Sequence, residues 1–270
     1  MKKKSAPTFL VSQSMVKDWR RYKKKELCGL VLKAKYIDKT YPVNADDSDA
    51  KRLGRYFEFI LTGSTGRDGI EPQPDWYESA LKKEPRLRKV DDMKKPYQLA
   101  HKNAERVKVY FKKMKIKVIE VNVRIQRGGM EGTIDVIAMY KGERIVIDVK
   151  YSGLIDNKWD EMGWTMTDEQ KNFHGVQAHQ YHYLTLIPFF FLVVSSTNED
   201  DILFIEAEFT EFSKEQHEVE VEKVRTDMLY GKDFAFIPYP ELVRCKNCAI
   251  AAGCPVKTEV PPIKKVNFQT

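Results

Sequence analysis

No apolar run in this chain approaches the ~20 residues that a helix needs to span a bilayer. The most apolar stretch, Ile187–Val194, is short and contains Pro188, which suits a buried strand. No membrane partner is therefore expected. The opening MKKKSAPTFLVSQS carries basic residues, but its apolar part is too short for a secretory signal, so a cytoplasmic protein is expected. Cysteine is scarce. Four in 270 residues would be an odd disulfide framework for a chain of this size. There is no internal repeat and no long basic tail.

What is present is a basic chain with enough apolar residues for a substantial core. Hydrophobic residues make up 42% of it, and 46 Lys+Arg stand against 39 Asp+Glu, for a formal net charge of +7. That balance suits a polyanionic partner such as nucleic acid. The basic residues fall in short clusters, among them Lys2–Lys4, Arg20–Lys25, Lys112-Lys113 and Lys264-Lys265.

Periodicity and turn residues give a coarse map. Residues 1–11 read as a loose arm. Ser12 or Ser14 caps a helix through Met15, Val16, Trp19, Tyr22 and Leu27. A polar loop over 38–50 precedes a short helix at about Lys51–Leu61. Residues 62–96 are rich in Gly, Pro and charge and show little periodicity. A helix is expected over Tyr97–Met114, with Leu99, Ala104, Val107 and Phe111 as its stripe. Strands follow at Lys117–Arg124, Thr133–Tyr140 and Arg144–Lys150. Thr167-Asp168-Glu169-Gln170 has capping-box form and opens a helix to about Thr185. Strands at Phe189–Ser195 and Ile202–Phe209 and a helix at Phe212–Tyr230 complete the core. This order implies a mixed α/β architecture with an antiparallel hairpin at its centre.

That hairpin, Gly132–Gly153, is where charge is out of place. With Lys141-Gly142 as a two-residue loop, Asp135 stands directly opposite Asp148, their Cβ atoms roughly 4.5–5.5 Å apart. Lys150 shares their face because side chains alternate along a strand. Ile134, Val136, Ala138, Ile145, Ile147 and Val149 form the opposite, apolar face. An aspartate or lysine at a strand end is commonly just solvated; two opposed aspartates with a lysine beside them are not. Mg²⁺ shares one or two carboxylates with substrate phosphates, so Asp135 and Asp148 are candidate ligands, with the main-chain carbonyl of Val149 as a further one. Such an ion lowers the pKa of a bound water, and Lys150 can orient that water or stabilise charge building on phosphorus.

Other side chains bear on the site. Gln177 and Tyr181 are four residues apart and share a helix face, from which they could reach a DNA phosphate or the lysine. Glu120 is a further carboxylate of open orientation. His174, His179 and His182 are expected at the surface or facing DNA, and Trp159 and Trp164 are expected to anchor a loop. Cys245-x2-Cys248-x5-Cys254, with the remote Cys28, points to a metal centre, either zinc or an iron–sulfur cluster.

In combination, Ile134-Asp135 and Ile147-Asp148-Val149-Lys150 resemble the core motif of the PD-(D/E)XK nuclease superfamily. Gln177-Ala178-His179-Gln180-Tyr181 resembles the Q-x-x-x-Y helix of its RecB-like branch. Gly54-Arg55-Tyr56-Phe57-Glu58 resembles that branch's G-x-x-x-H segment, with Glu58 standing where the family has a metal-binding histidine. The exchange keeps an oxygen ligand and favours a hard ion such as Mg²⁺ over Mn²⁺. The cysteine spacing is similar to that of RecB-type nucleases with an iron–sulfur cluster, including AddB and the CRISPR adaptation nucleases.

The resemblance implies a restriction-endonuclease-like mixed central sheet flanked by helices. It implies one domain over 1–270, with its core at about 51–210. A 4Fe–4S cluster on Cys28, Cys245, Cys248 and Cys254 would clasp regions of about 12–36 and 240–258. It further implies catalysis by Asp135, Asp148, Lys150, Gln177 and Tyr181, and Mg²⁺ or Mn²⁺ on Glu58, Asp135, Asp148 and Val149. The expected function is a metal-dependent DNA exonuclease acting on ends or single strands in recombination, repair or replication. A bacterial or phage-infected cell is the expected setting, with a helicase or recombination protein as a possible partner. An iron–sulfur DNA-binding module without hydrolysis and a restriction-type endonuclease are the alternatives.

Overall fold

The computed structural model describes residues 9–42, 48–66, 69–75, 89–153, 168–197, 201–230, 236, 245 and 248–255, with backbone alone for 168–173 and 230. Its strands are β1 (Val11–Ser12), β2 (Lys117–Arg127), β3 (Met130–Tyr140), β4 (Glu143–Ser152), β5 (Phe189–Ser195) and β6 (Ile202–Ala207). Its helices are α1 (Gln13–Lys23), α2 (Gly29–Tyr36), α3 (Asp49–Thr62), α4 (Lys95–Lys113), α5 (Asp168–Thr185) and α6 (Glu211–Tyr230). Two compact units result: Met1–Gln13 with Asp47–Val219, and Ser14–Asp46 with Glu220–Thr270. Among the described residues no helix is long and apolar enough to cross a membrane.

The larger unit is a mixed six-stranded sheet, ordered β1-β3-β4-β5-β6 with β2 also on β3, and flanked by helices. The α/β architecture expected from the sequence is therefore what forms. The β3–β4 hairpin has the expected register, from Tyr140↔Glu143 to Val136↔Ile147. Lys141 (φ 50°) and Gly142 (φ 88°) are both left-handed, as a tight two-residue hairpin loop requires.

β3 carries the central irregularity. β2 pairs with it along one edge, from Met130 to Met139. The other edge is shared: β4 takes Val136–Tyr140 and β1 takes Met130 and Glu131 in parallel. Residues 132–135 have no strand on that edge. Asp135 thus sits one step past the last β3–β4 pair, where the strands part, rather than within the ladder.

The strand also turns over there. A Cβ on Gly132 would lie 2.7 Å from Tyr181 and 2.9 Å from Leu184 of α5. Val136 instead packs in the core formed with α3 and α4. A strict two-residue alternation would put both on one face. On β2, Asn122 lies between the pairs Val121↔Val136 and Val123↔Ile134, and its φ of 51° bends the strand beside Asp135.

Tyr56, Phe57, Ala100, Ala104, Val107 and Phe111 cover the core face of Val136, Ala138, Ile145, Ile147, Phe190, Leu192 and Val194. Each large side chain buried this way contributes about 1.5–3 kcal/mol. Phe57 stacks on Tyr151 with ring centroids 4.4 Å apart, which sets α3 against β4. Ser48 caps α3 by accepting from Lys51 N, 3.3 Å away. α5 lies on the opposite face, with Tyr181 against Phe189.

In the smaller unit the helix expected from Ser12 or Ser14 through Leu27 stops at Lys23, and a second helix begins at Gly29. Ser12 belongs to β1, and a turn at Lys25 (φ 62°) separates α1 from α2. Asp18 joins the two helices, accepting from Tyr36 Oη at 2.9 Å and Lys35 Nζ at 3.2 Å. Arg20 grips both oxygens of Glu220, and Trp19 donates to Asp227 at 2.9 Å. Cys28 precedes the first turn of α2, where its carbonyl accepts from Val31 and Leu32.

Candidate active site

The parted strands leave three chemically distinct groups together. Asp148 is fully buried on β4. Gln177 of α5 donates through Nε2 to its Oδ1 at 2.5 Å, and Lys150 Nζ lies 2.5 Å from its Oδ2. Lys150 also donates to Gln177 Oε1 at 3.1 Å. The primary amide of Gln177 therefore serves both charges at once, its N–H on the anion and its oxygen on the cation. Asparagine would be one methylene too short to span them from the same backbone position.

Asp135 closes the gap from the β3 side. Its Oδ2 accepts the Val149 N–H at 2.9 Å, taking the place of the missing strand partner. In an extended strand the N–H and C=O of one residue point the same way, so the Val149 carbonyl faces the same gap.

Electrostatics ties Glu58 of α3 to this group. Burial, then the negative charges of Asp148 and Glu58, push the Asp135 carboxyl well above the usual carboxylate range; Lys150 and the Val149 N–H oppose this. Burial pulls Lys150 down, but the carboxylates of Asp148, Asp135 and Glu58 together leave it above the ordinary lysine value. In the metal-free site the three carboxylates thus favour the charged form of Lys150. Three carboxylates facing one lysine leave a formal charge of −2 if all ionise, which a dication would neutralise. The donor chemistry fits a hard divalent ion. The oxygens are not gathered as a finished ligand set: among the described residues no three His, Cys, Asp or Glu side chains are arranged to hold a metal.

The remaining candidates have the following surroundings. Tyr181 is buried against Phe189 and over Gly132, where it seats α5 on the sheet. Glu120 pairs with Arg144 at 2.9 Å on the exposed ladder. The three histidines are half-buried and make ring contacts: His174 meets Phe191 edge-on, while His179 and His182 both contact Phe209. His179 also stacks on His217. Trp159 and Trp164 lie outside the described residues. Cys28, Cys245, Cys248 and Cys254 all belong to the smaller unit, half-buried and in no disulfide. Their thiols are suitable donors for a cluster, though they do not converge into a ligand set.

Two supporting residues escaped sequence reasoning. Gln180, fully buried, donates through Nε2 to the carbonyls of Val11 (2.7 Å) and Glu131 (3.1 Å), tying α5 to the β1–β3 pair. Asn122 bends β2 and donates to Ser64 Oγ at 2.6 Å, tying β2 to the segment after α3. The only signal was polarity at positions where apolar neighbours would pack.

No protein-family model matches the chain, and no curated protein matches its sequence. Among solved structures, a candidate exonuclease from Eubacterium rectale superposes with a TM-score of 0.58 at 18% identity, covering 99% of this chain and 94% of that one. The likeness is one of fold. The structure of SSO0001 matches with a TM-score of 0.31 at 18% identity, over 58% of this chain and 68% of its own, and carries no argument.

Proposed function

We propose that the chain is a metal-dependent nuclease of the PD-(D/E)XK superfamily's RecB-like branch, and that it hydrolyses DNA phosphodiesters from ends or in single strands. The observation that carries this reading is the buried Asp148 held between Gln177 and Lys150, with Asp135 and Glu58 acting on the same lysine. Holding a buried carboxylate and a cation in one fixed geometry is costly for stability alone. Phosphoryl chemistry uses both. The fold it shares with a candidate exonuclease supports the reading.

Asp135, Asp148, Glu58 and the Val149 carbonyl would hold Mg²⁺ or Mn²⁺. A divalent ion there would make a bound water more acidic near neutral pH. Lys150 would stabilise charge developing on the phosphate oxygens. Gln177 keeps the Lys150 ammonium and the Asp148 carboxylate in register. Tyr181 acts through its packing, holding α5 at the height that presents Gln177. Cys28, Cys245, Cys248 and Cys254 would hold a 4Fe–4S cluster whose part is to clasp sequence-distant segments of the smaller unit. A helicase or recombination protein is a possible partner.

The test is degradation of end-labelled linear and closed circular DNA, single- and double-stranded, with Mg²⁺, Mn²⁺ or EDTA. Release of short products from linear DNA only, abolished by EDTA, is expected. Cleavage of circles at defined sequences would point to a restriction-type enzyme, and no cleavage of any form would point to a binding module.

A further inference from the structure

The larger unit has a cleft of about 470 Å³ beside Asp135, within the ~300–1,000 Å³ of small-ligand sites. It is lined by Ser12 of β1, Asn122 and Arg124 of β2, Glu131 and Thr133 of β3, and Gly66 after α3. Thr133 is two residues before Asp135 on the same strand, roughly 6.6 Å away along it. Asn122 flanks Asp135 across the β2–β3 ladder. The cleft therefore adjoins Asp135 at a spacing on the scale of one nucleotide.

Its polar lining is the hydroxyls of Ser12 and Thr133, the Asn122 amide, the Arg124 cation and the Glu131 carboxylate. Arg124 is 69% exposed and holds Glu131 through Nη2 at 2.7 Å. A guanidinium has five N–H donors in a fork that matches phosphate. An anion entering the cleft meets that fork, with the Glu131 carboxylate as its competitor. The volume suits a nucleotide's phosphate and sugar.

We infer that this cleft seats the phosphate of the nucleotide next to the one cleaved, with Arg124 as its cation and Glu131 as the carboxylate it displaces. The inference rests on the nuclease reading and adds to it a specificity-neutral backbone contact.

The test is binding of labelled oligothymidylate and oligodeoxyadenylate to the full chain in EDTA, by fluorescence anisotropy across a salt series. Arg124→Gln removes one phosphate contact, so the slope of log K against log salt should shrink by about 0.7. The loss should be equal for both oligonucleotides. Glu131→Gln removes the competitor and should tighten binding. Opposite effects from the two variants are the signature, because an ion pair with a purely structural role would make both substitutions act alike. An unchanged slope in Arg124→Gln, a changed preference between the two oligonucleotides, or weakening by both variants would overturn the inference while leaving Mg²⁺-dependent hydrolysis untouched. Absence of any salt-dependent DNA binding by the wild-type chain, together with absence of hydrolysis, would remove the nuclease reading as well.

Discussion

Gln177 and Asp148 meet through a buried amide-to-carboxylate hydrogen bond, and the same amide takes the Lys150 ammonium on its oxygen. Gln177→Ala leaves Asp148 Oδ1 without this donor. Equilibrium urea unfolding should show a loss of about 1–3 kcal/mol. Displacing Lys150 should lower nuclease turnover on the order of 10²-fold. Gln177→Glu should be worse for folding at neutral pH than at acid pH, because it sets a second carboxylate against Asp148.

The carboxylates of this site oppose one another in the metal-free protein. Asp135 has a folded pKa raised by burial and by Asp148 and Glu58. A raised acid binds more protons folded than unfolded, so its contribution is full below the unfolded pKa and is lost as pH rises through the folded value. Metal-free protein should therefore lose stability over that range. Asp135→Asn should flatten the dependence and raise the urea midpoint at pH 7. An unaltered pH profile in this variant would show that Asp135 ionises freely.

A cation relieves the same repulsion. Thermal unfolding of EDTA-treated protein should shift upward on adding Mg²⁺ or Mn²⁺, by the equivalent of about 2.7 kcal/mol at a hundredfold excess over Kd. Asp148→Asn should remove most of the shift. A shift that survives in that variant would place the ion elsewhere.

The close seat of α5 predicts a cost for bulk at Gly132. A methyl there would lie 2.7 Å from the Tyr181 ring. Gly132→Ala should destabilise by about 1–3 kcal/mol and, by lifting α5 and Gln177 from the sheet, reduce kcat more than it raises KM. Unchanged kinetics would show that α5 adapts without moving Gln177.

The thiols of the smaller unit can be tested without DNA. Anaerobically prepared protein should show the visible charge-transfer absorption of an iron–sulfur cluster. Cys245→Ala should lose that absorption and unfold at lower denaturant concentration. Protein that keeps both the band and its stability in this variant would contradict the clasp.

Much of this arrangement was legible in the sequence because the hairpin obeys local rules. Lys141-Gly142 permits the tight turn, and the apolar alternation from Val136 to Ile147 admits only one register. That register brings Asp135 and Asp148 to the same end. What was not legible depends on distant partners. β1 is two residues long and exists only because Met130 and Glu131 offer it an edge. The roll of β3 at Asp135 comes with the positive φ of Asn122, a conformation that asparagine tolerates but does not announce. The histidines of α5 look polar in sequence, yet Phe191 and Phe209 supply rings for them to pack on.

Asp148 is the residue on which the proposed hydrolysis depends most, and single-turnover hydrolysis of end-labelled single-stranded DNA in Mg²⁺ tests its part directly. Asp148→Asn keeps the shape of the buried side chain and removes its charge. A loss on the order of 10²–10³-fold in rate, with circular dichroism matching the wild type, is the predicted result. Hydrolysis at the wild-type rate by a folded Asp148→Asn protein would contradict it.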